Sequence, residues 1–203
     1  VAHNQPALAA RFAYSCGMIF RNPIKFCRNC GTAVTYRVPD DGDTRERAVC
    51  PACNTIHYEN PLNVVGTLPV MDDGRVLLCM RNIEPRRGKW TLPAGFMELA
   101  ETTAGGAQRE TDEEAGADIE MGKLFSIINV PQVGQVHFFY QARLKSAQFY
   151  PGPETMEAQL FAEADIPWEN IAFRTVKVTL ERFFADRKAG VLEQPLVHSI
   201  DLV

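Results

Sequence analysis

The stretch that decides the fold reads Gly95-Phe96-Met97-Glu98-Leu99-Ala100-Glu101, then seven residues, then Arg109-Glu110-Thr111-Asp112-Glu113-Glu114-Ala115-Gly116. Glu101-Thr102-Thr103 is a helix start, with a hydroxyl free to cap and an acid at the positive end of the dipole. Gly116 is a helix stop. Between them Glu110, Glu113 and Glu114 stand at i, i+3 and i+4, so a single helix face carries all three carboxylates. Like charges so spaced destabilise a helix by about 0.2–0.5 kcal/mol per pair. Arg109 alone does not offset them, although it can pair with Glu113 one turn on. Eight acids fall between Glu98 and Glu120, and Arg109 is the one basic residue among them. Such a surface repels itself unless a cation neutralises it. Oxygen ligands clustered this way suit Mg2+ or Mn2+ rather than zinc.

The opposite stripe of this helix, Ala104, Ala107, Thr111 and Ala115, is small and lets the backbone press close to a sheet. Gly105 and Gly106 each cost about 1 kcal/mol against Ala, which points to close packing there. Downstream, Pro151-Gly152-Pro153-Glu154-Thr155-Met156-Glu157 is turn-rich and runs into an apolar strand.

The order glycine, five residues, glutamate, seven residues, Arg-Glu, two residues, Glu-Glu, one residue, glycine is the Nudix box. At average residue frequencies it would arise by chance on the order of once in a million chains of this length. The sequence resembles the zinc-ribbon group of Nudix hydrolases that contains plant-type FAD pyrophosphatases and related bacterial ADP-ribose pyrophosphatases. The likeness runs from Phe26 to about Phe184 and includes Tyr58-Glu59-Asn60-Pro61, Arg75 to Arg81, Trp90 to Gly95, Pro151 to Glu157 and Asp165-Ile166-Pro167. Two positions depart from it: Thr111 and Ala117 stand where the family has bulky aliphatics. The resemblance implies Glu110 and Glu114 as principal ligands of Mg2+ or Mn2+, Glu113 as support, and Glu101 oriented by Arg109. It also implies a further carboxylate from a later loop, for which Glu154 is the candidate and Glu157 the reserve. Either Glu114 or the loop acid would act as general base. Arg81, Phe96 and Glu157 are candidate substrate contacts, while Trp90, Tyr140 and His137 read more simply as strand residues. The implied substrate is a small nucleotide, ADP-ribose or FAD, split to AMP plus ribose 5-phosphate or FMN. The alternative is NADH or an NAD-capped or otherwise capped RNA, and a nucleotide-sensing regulator is the minor one. NADH pyrophosphatases carry Ser-Gln-Pro-Trp-Pro-Phe after the box, whereas here that region reads Phe125-Ser-Ile-Ile-Asn-Val-Pro-Gln132.

Four of the six cysteines form Cys27-x-x-Cys30 and Cys50-x-x-Cys53, nineteen residues apart. Two such knuckles can place four thiolates tetrahedrally around zinc at about 2.3 Å. Four thiolates leave no open position for a catalytic water, so the zinc is structural. Thr32 to Val49 alternates and turns at Pro39-Asp40-Asp41-Gly42-Asp43, a hairpin that needs the metal to fold. His57 is a weak substitute ligand. Cys16 and Cys79 are left over, and Cys79 within Val76-Leu77-Leu78-Cys79-Met80 reads as core.

The expected fold class is α+β: a Nudix αβα sandwich with a mixed sheet, preceded by a small all-β zinc ribbon. Strands are expected over 63–70, 75–81, 125–130, 136–144 and near 158–162, with a helix from Val176 to Lys188 stopped at Gly190. The domains read as a leader at 1–25, the ribbon at 26–60, the Nudix domain at 61–190 and a tail at 191–203. A net charge of −4 argues against a grip on long nucleic acid. No apolar run is long enough to span a bilayer. Reduced paired cysteines fit the cytoplasm, and a homodimer follows from the resemblance, with the tail packing on the partner.

Overall fold

The computed structural model describes residues 23–194 and 197–203, and the chain divides into two compact units between His57 and Tyr58. Nearly all of the expected leader, residues 1–22, and with it Cys16, lies outside the described residues.

In the first unit β1 (Thr35–Arg37), β2 (Arg47–Val49) and β3 (Ile56–His57) form an antiparallel sheet in that order. Asp43 fixes the turn between β1 and β2. One of its oxygens accepts from the amides of Thr44 and Arg45, and the other accepts from Arg47 Nε at 2.7 Å. That arginine bond is the main cause that holds the Asp43 carboxyl at about 2. Ala48 and Val49 are the buried apolar residues beside Cys27 and Cys50, a core too small to hold a domain by itself.

The second unit is a mixed sheet with a helix on each face. Its strands are β4 (Leu62–Val70), β5 (Val76–Arg81), β6 (Trp90–Thr91), β7 (Ala94–Phe96), β8 (Ile119–Val130), β9 (Gln135–Leu144), β10 (Thr155–Phe161) and β11 (His198–Asp201). The order is β10-β5-β4-β9-β8-β11, with β6 beside β5 and β7 beside β4. The pairs β4–β9 and β8–β11 are parallel and the others antiparallel. Helices α1 (Thr103–Ala115) and α2 (Arg174–Ala189) cover opposite faces. The pleat of β5 shows why: Leu77 and Cys79 pack with Ala115 and Ala117 under α1, whereas Val76 and Leu78 join Val176, Leu180, Phe183 and Phe184 under α2. The α+β sandwich behind a small all-β unit is the fold the sequence predicts.

Helix α1 begins as expected. Thr102 caps it by accepting from the Gly105 amide at 3.0 Å, and Gly116 ends it in the left-handed region at φ 55°. Small residues let it lie close to the sheet, since a Cβ on Gly106 would stand 2.8 Å from Val65 Cγ2. Thr111, the departure from the aliphatic pattern, is fully buried and compensated. Its hydroxyl donates to Ala107 O at 2.8 Å and meets Thr67 Oγ1 of β4 at 2.6 Å. Thr111→Val is therefore expected to lower stability by about 1–2 kcal/mol, because Thr67 would be left buried without a partner. Urea denaturation checks this, and an unchanged midpoint would mean the hydroxyl pair contributes nothing.

Two elements differ from the sequence expectation. The strand expected over 125–130 starts six residues earlier, at Ile119, with register shifts between Met121 and Ser126. Residues 191–203, read as a tail, contain β11, which pairs with Ser126 to Asn129 of β8 in the same chain. Leu202 is buried in the α2-side core, and His198 Nε2 meets Asp186 Oδ2 of α2 at 2.6 Å. Lys123 Nζ also donates to the carbonyls of Leu192 and Gln194. The sequence missed the strand because four residues bounded by a short loop carry little periodicity.

Candidate active site and cysteine cluster

The four thiols gather as the spacing requires. Cys27 Sγ lies 3.6 Å from Cys53 Sγ, Cys30 Sγ lies 3.4 Å from Cys50 Sγ, and all four are within 4.8 Å of one another. These separations exceed the roughly 2.05 Å of a disulfide. The two knuckles repeat one geometry. Gly31 N donates to Cys27 O and Asn54 N to Cys50 O, with Gly31 and Asn54 both at positive φ. Contact with the Thr55 hydroxyl is the main cause that lowers the Cys53 thiol to about 6. A soft, thiolate-forming set of this kind fits zinc. His57 is buried and stands outside the four-sulfur group.

On the second unit, the site grows from α1 and the short strand β7. Register with β4 (Val65 opposite Gly95) lays β7 along the helix. A Cβ on Gly95 would overlap the Glu110 carboxylate, so only glycine lets that side chain lie against the strand. One residue earlier, Ala94 N donates to Glu114 Oε2 at 3.0 Å. Glu110 and Glu114 are both buried, while the Glu113 side chain is largely exposed. Desolvation is the main cause that pushes the Glu114 carboxyl up to about 8, with the charges of Glu110 and Glu154 adding. Desolvation also raises Glu110, against the pull of Arg109.

Arg109 organises the acids at the helix surface. It donates to both oxygens of Glu101 at 3.1 and 3.0 Å, to Glu110 at 2.8 Å, to Glu113 at 3.0 Å and to Phe96 O at 3.2 Å. The Arg109 bond is the main cause that lowers Glu101, which also accepts from Glu98 N. The carboxylates are thus arranged around a guanidinium rather than gathered as tightly as the thiols. The fit to a hard divalent cation rests on the donor chemistry: only carboxylate oxygens, with Glu110 and Glu114 buried against each other's charge.

Other sequence candidates separate by place. Glu154 lies at the end of β5, where its carbonyl accepts from Asn82 N at 2.7 Å, and its charge reaches Glu110 and Glu114. Glu157 comes after a bulge in β10 and shares the strand face of Phe161, on the α2 side of the sheet. The structure therefore brings Glu154, not Glu157, towards the α1 carboxylates. Arg81 is buried near Glu114, donates to Pro85 O at 2.9 Å and lies 5.1 Å from the Phe173 ring centre. Phe96 is half exposed beside the Arg109 contact. Trp90 packs on Phe161 and belongs to the core, and the Tyr140 hydroxyl meets Thr103 Oγ1 at 2.6 Å. Cys79 is buried, and burial raises its thiol well above the ordinary range.

His137 is held largely neutral, since burial lowers it to about 4. An unfolded histidine takes up a proton below about 6.5, so stability is lost as pH falls from there towards 4. Replacing it by glutamine is expected to remove about 2 kcal/mol of the decline between pH 7 and pH 5. Denaturation at both pH values measures this, and parallel declines in the two proteins would refute it.

This fold and this run of carboxylates define the class of the Nudix hydrolases. Residues 61–180 match the NUDIX domain and residues 25–59 the zinc-ribbon Nudix N-terminal family, and the chain belongs to the Nudix family. It is 46% identical to a crystallised NUDIX hydrolase from Nitrosomonas europaea, with a TM-score of 0.82, over 88% of this chain and 99% of that one. Among curated proteins it is 27% identical to the NAD-capped RNA hydrolase NudC of Vibrio atlanticus, over 86% of this chain and 63% of that protein. It is 28% identical to the NudC of Stutzerimonas stutzeri, over 66% of this chain and 46% of the relative. The chain thus spans about half to three fifths of the length of these curated relatives. Among the described residues no helix is long and apolar enough to cross a membrane.

Proposed function

We propose that this chain hydrolyses the pyrophosphate linkage of an adenine dinucleotide of the NAD class, free or as the 5′ end of an RNA, in the cytoplasm. The observation that carries the reaction class is the burial of Glu110 and Glu114 beside Arg81, with Glu154 facing them from another loop. The substrate rests on the curated relatives named as NAD-capped RNA hydrolases. Their names support NAD better than the ADP-ribose or FAD that the sequence resemblance puts first.

Glu110, Glu114 and Glu154, with Glu113 in support, would hold a divalent cation, which would supply neutralisation of phosphate charge and a more acidic water. The protein groups do the rest. Arg109 holds Glu101 and Glu110 in place. Arg81 adds positive charge where the phosphates would lie, and Phe96 offers a ring face for a base. Glu114 or Glu154 takes the proton as water oxygen attacks phosphorus. The bridging P–O bond breaks and two phosphomonoesters leave: nicotinamide mononucleotide, and AMP from the free dinucleotide or the 5′-phosphorylated RNA from the capped one. In the first unit, Cys27, Cys30, Cys50 and Cys53 would hold a structural zinc.

A second reading, ADP-ribose or FAD, is favoured by one observation. Residues 125–132, where NADH pyrophosphatases carry Ser-Gln-Pro-Trp-Pro-Phe, read Phe-Ser-Ile-Ile-Asn-Val-Pro-Gln, so that signature is missing here. Release of AMP from NADH, NAD+, ADP-ribose and FAD, and of nicotinamide mononucleotide from an NAD-capped RNA, each with Mg2+ and with Mn2+, separates the two. Preference for the NAD forms supports the first reading. Preference for ADP-ribose or FAD overturns it in favour of the second, and no turnover at all leaves neither standing.

A further inference from the structure

The loop that carries Glu154 is clamped at several points. Tyr150 N donates to Ala115 O at 2.8 Å, which ties the loop to the end of α1. Gly152 lies so close to Glu113 O that a Cβ there would overlap it. Thr155 N closes a turn onto Gly152 O at 3.1 Å. At its far end the loop meets Asn82, the residue after β5. Asn82 N donates to Glu154 O at 2.7 Å and Asn82 Nδ2 to Pro153 O at 2.9 Å. The same side chain accepts from Arg87 Nη2 at 3.2 Å through Oδ1. The Asn82 side-chain amide, one residue beyond Arg81, therefore joins the acidic loop to the basic loop at Arg86–Arg87.

Nothing in the box or in the turn-rich motif points to this residue. It contributes no charge and cannot itself stabilise phosphate charge or activate water. Its donors are spent on two successive carbonyls of the loop, and these set where the backbone of Glu154 lies. The clamp is anchored on α1 at one end and on the residue that follows β5 at the other, so the carboxylate between them has little room to drift. A shift of about 1 Å in such a group can cost on the order of a hundredfold in rate.

We propose that Asn82 is a positioning residue that holds Glu154 against the α1 carboxylates. The inference rests on the role proposed above for Glu154, and the test separates the two. In the full-length, zinc-loaded protein, turnover of NADH and of ADP-ribose with Mg2+ is measured for Asn82→Ala, Asn82→Asp, Glu154→Gln and the double variant Asn82→Ala/Glu154→Gln. Asn82→Asp keeps the acceptor for Arg87 and loses the donor to Pro153 O. The expected result is a fall in kcat of about tenfold for both Asn82 variants with KM little changed, and about a hundredfold for Glu154→Gln. The double variant should be no slower than Glu154→Gln alone, because its carboxylate is already gone. Losses that multiply in the double variant would overturn the positioning role while leaving Glu154 its own. Wild-type kcat in Glu154→Gln would overturn the role of Glu154 and this proposal with it. An Asn82→Asp variant with normal kcat beside an impaired Asn82→Ala would overturn the Pro153 bond as the means. Thermal melting of each variant separates loss of fold from loss of position, since a drop in kcat that follows a drop in Tm also counts against it.

Discussion

Glu114→Gln is expected to lower kcat by about a thousandfold or more while raising the stability of the metal-free protein. The first effect follows because an amide can still accept from Ala94 N but cannot serve as an anionic ligand or base. The second follows from burial. In the folded, metal-free chain the carboxyl titrates at about 8, against about 4.5 unfolded. Between those values the folded state binds more protons than the unfolded one, so stability falls as pH rises through that window. Glutamine has no such proton to lose, and the variant's advantage should therefore be small near pH 5 and largest above pH 8. Denaturation in chelating buffer at the two pH values, set beside turnover with Mg2+, measures both effects. A variant that turns over normally would remove Glu114 from the mechanism. One that is less stable at every pH would show that its carboxylate is not strained by burial.

The second large effect is expected at the thiols. Cys50 is fully buried at the centre of the first unit, and Cys50→Ser or a strong chelator should unfold residues 26–57. Structural zinc sites contribute about 10–16 kcal/mol in isolated zinc-binding peptides, far more than the few buried residues here can replace. Hydrogen exchange resolved by peptide would show protection lost across 26–57 and kept in β4, β5 and β9. A wild-type chain that contains no zinc, or that keeps its protection in chelator, would refute the structural role.

The strongly patterned parts of the fold were legible from the residues. The helix from Thr103 was signalled by a cap, a carboxylate run and a stop glycine, all local features. The β4–β5 hairpin, β9 and α2 were signalled by apolar periodicity. What local pattern cannot carry is contact between distant segments. Asn82 meets Glu154 across 72 positions, and Thr111 meets Thr67 across 44, so their partnership is a product of topology. The burial of Glu114 also depends on β7 folding over α1, which the glycine of the box makes feasible but does not announce. Glu157 illustrates the reverse case: a bulge after Thr155 changes the face of the sheet on which each following residue lies.

Strand β11 has a consequence beyond architecture. By lying along Ser126 to Asn129 it covers the backbone of an apolar run, Phe125-Ser126-Ile127-Ile128, that would otherwise sit at the rim of the sheet. Open rims of that composition recruit other chains and precipitate. Truncation before His198 would leave this rim open. The closing strand thus acts as the molecule's own guard against clumping, and a bulky fusion placed next to it is where recombinant yield should suffer first.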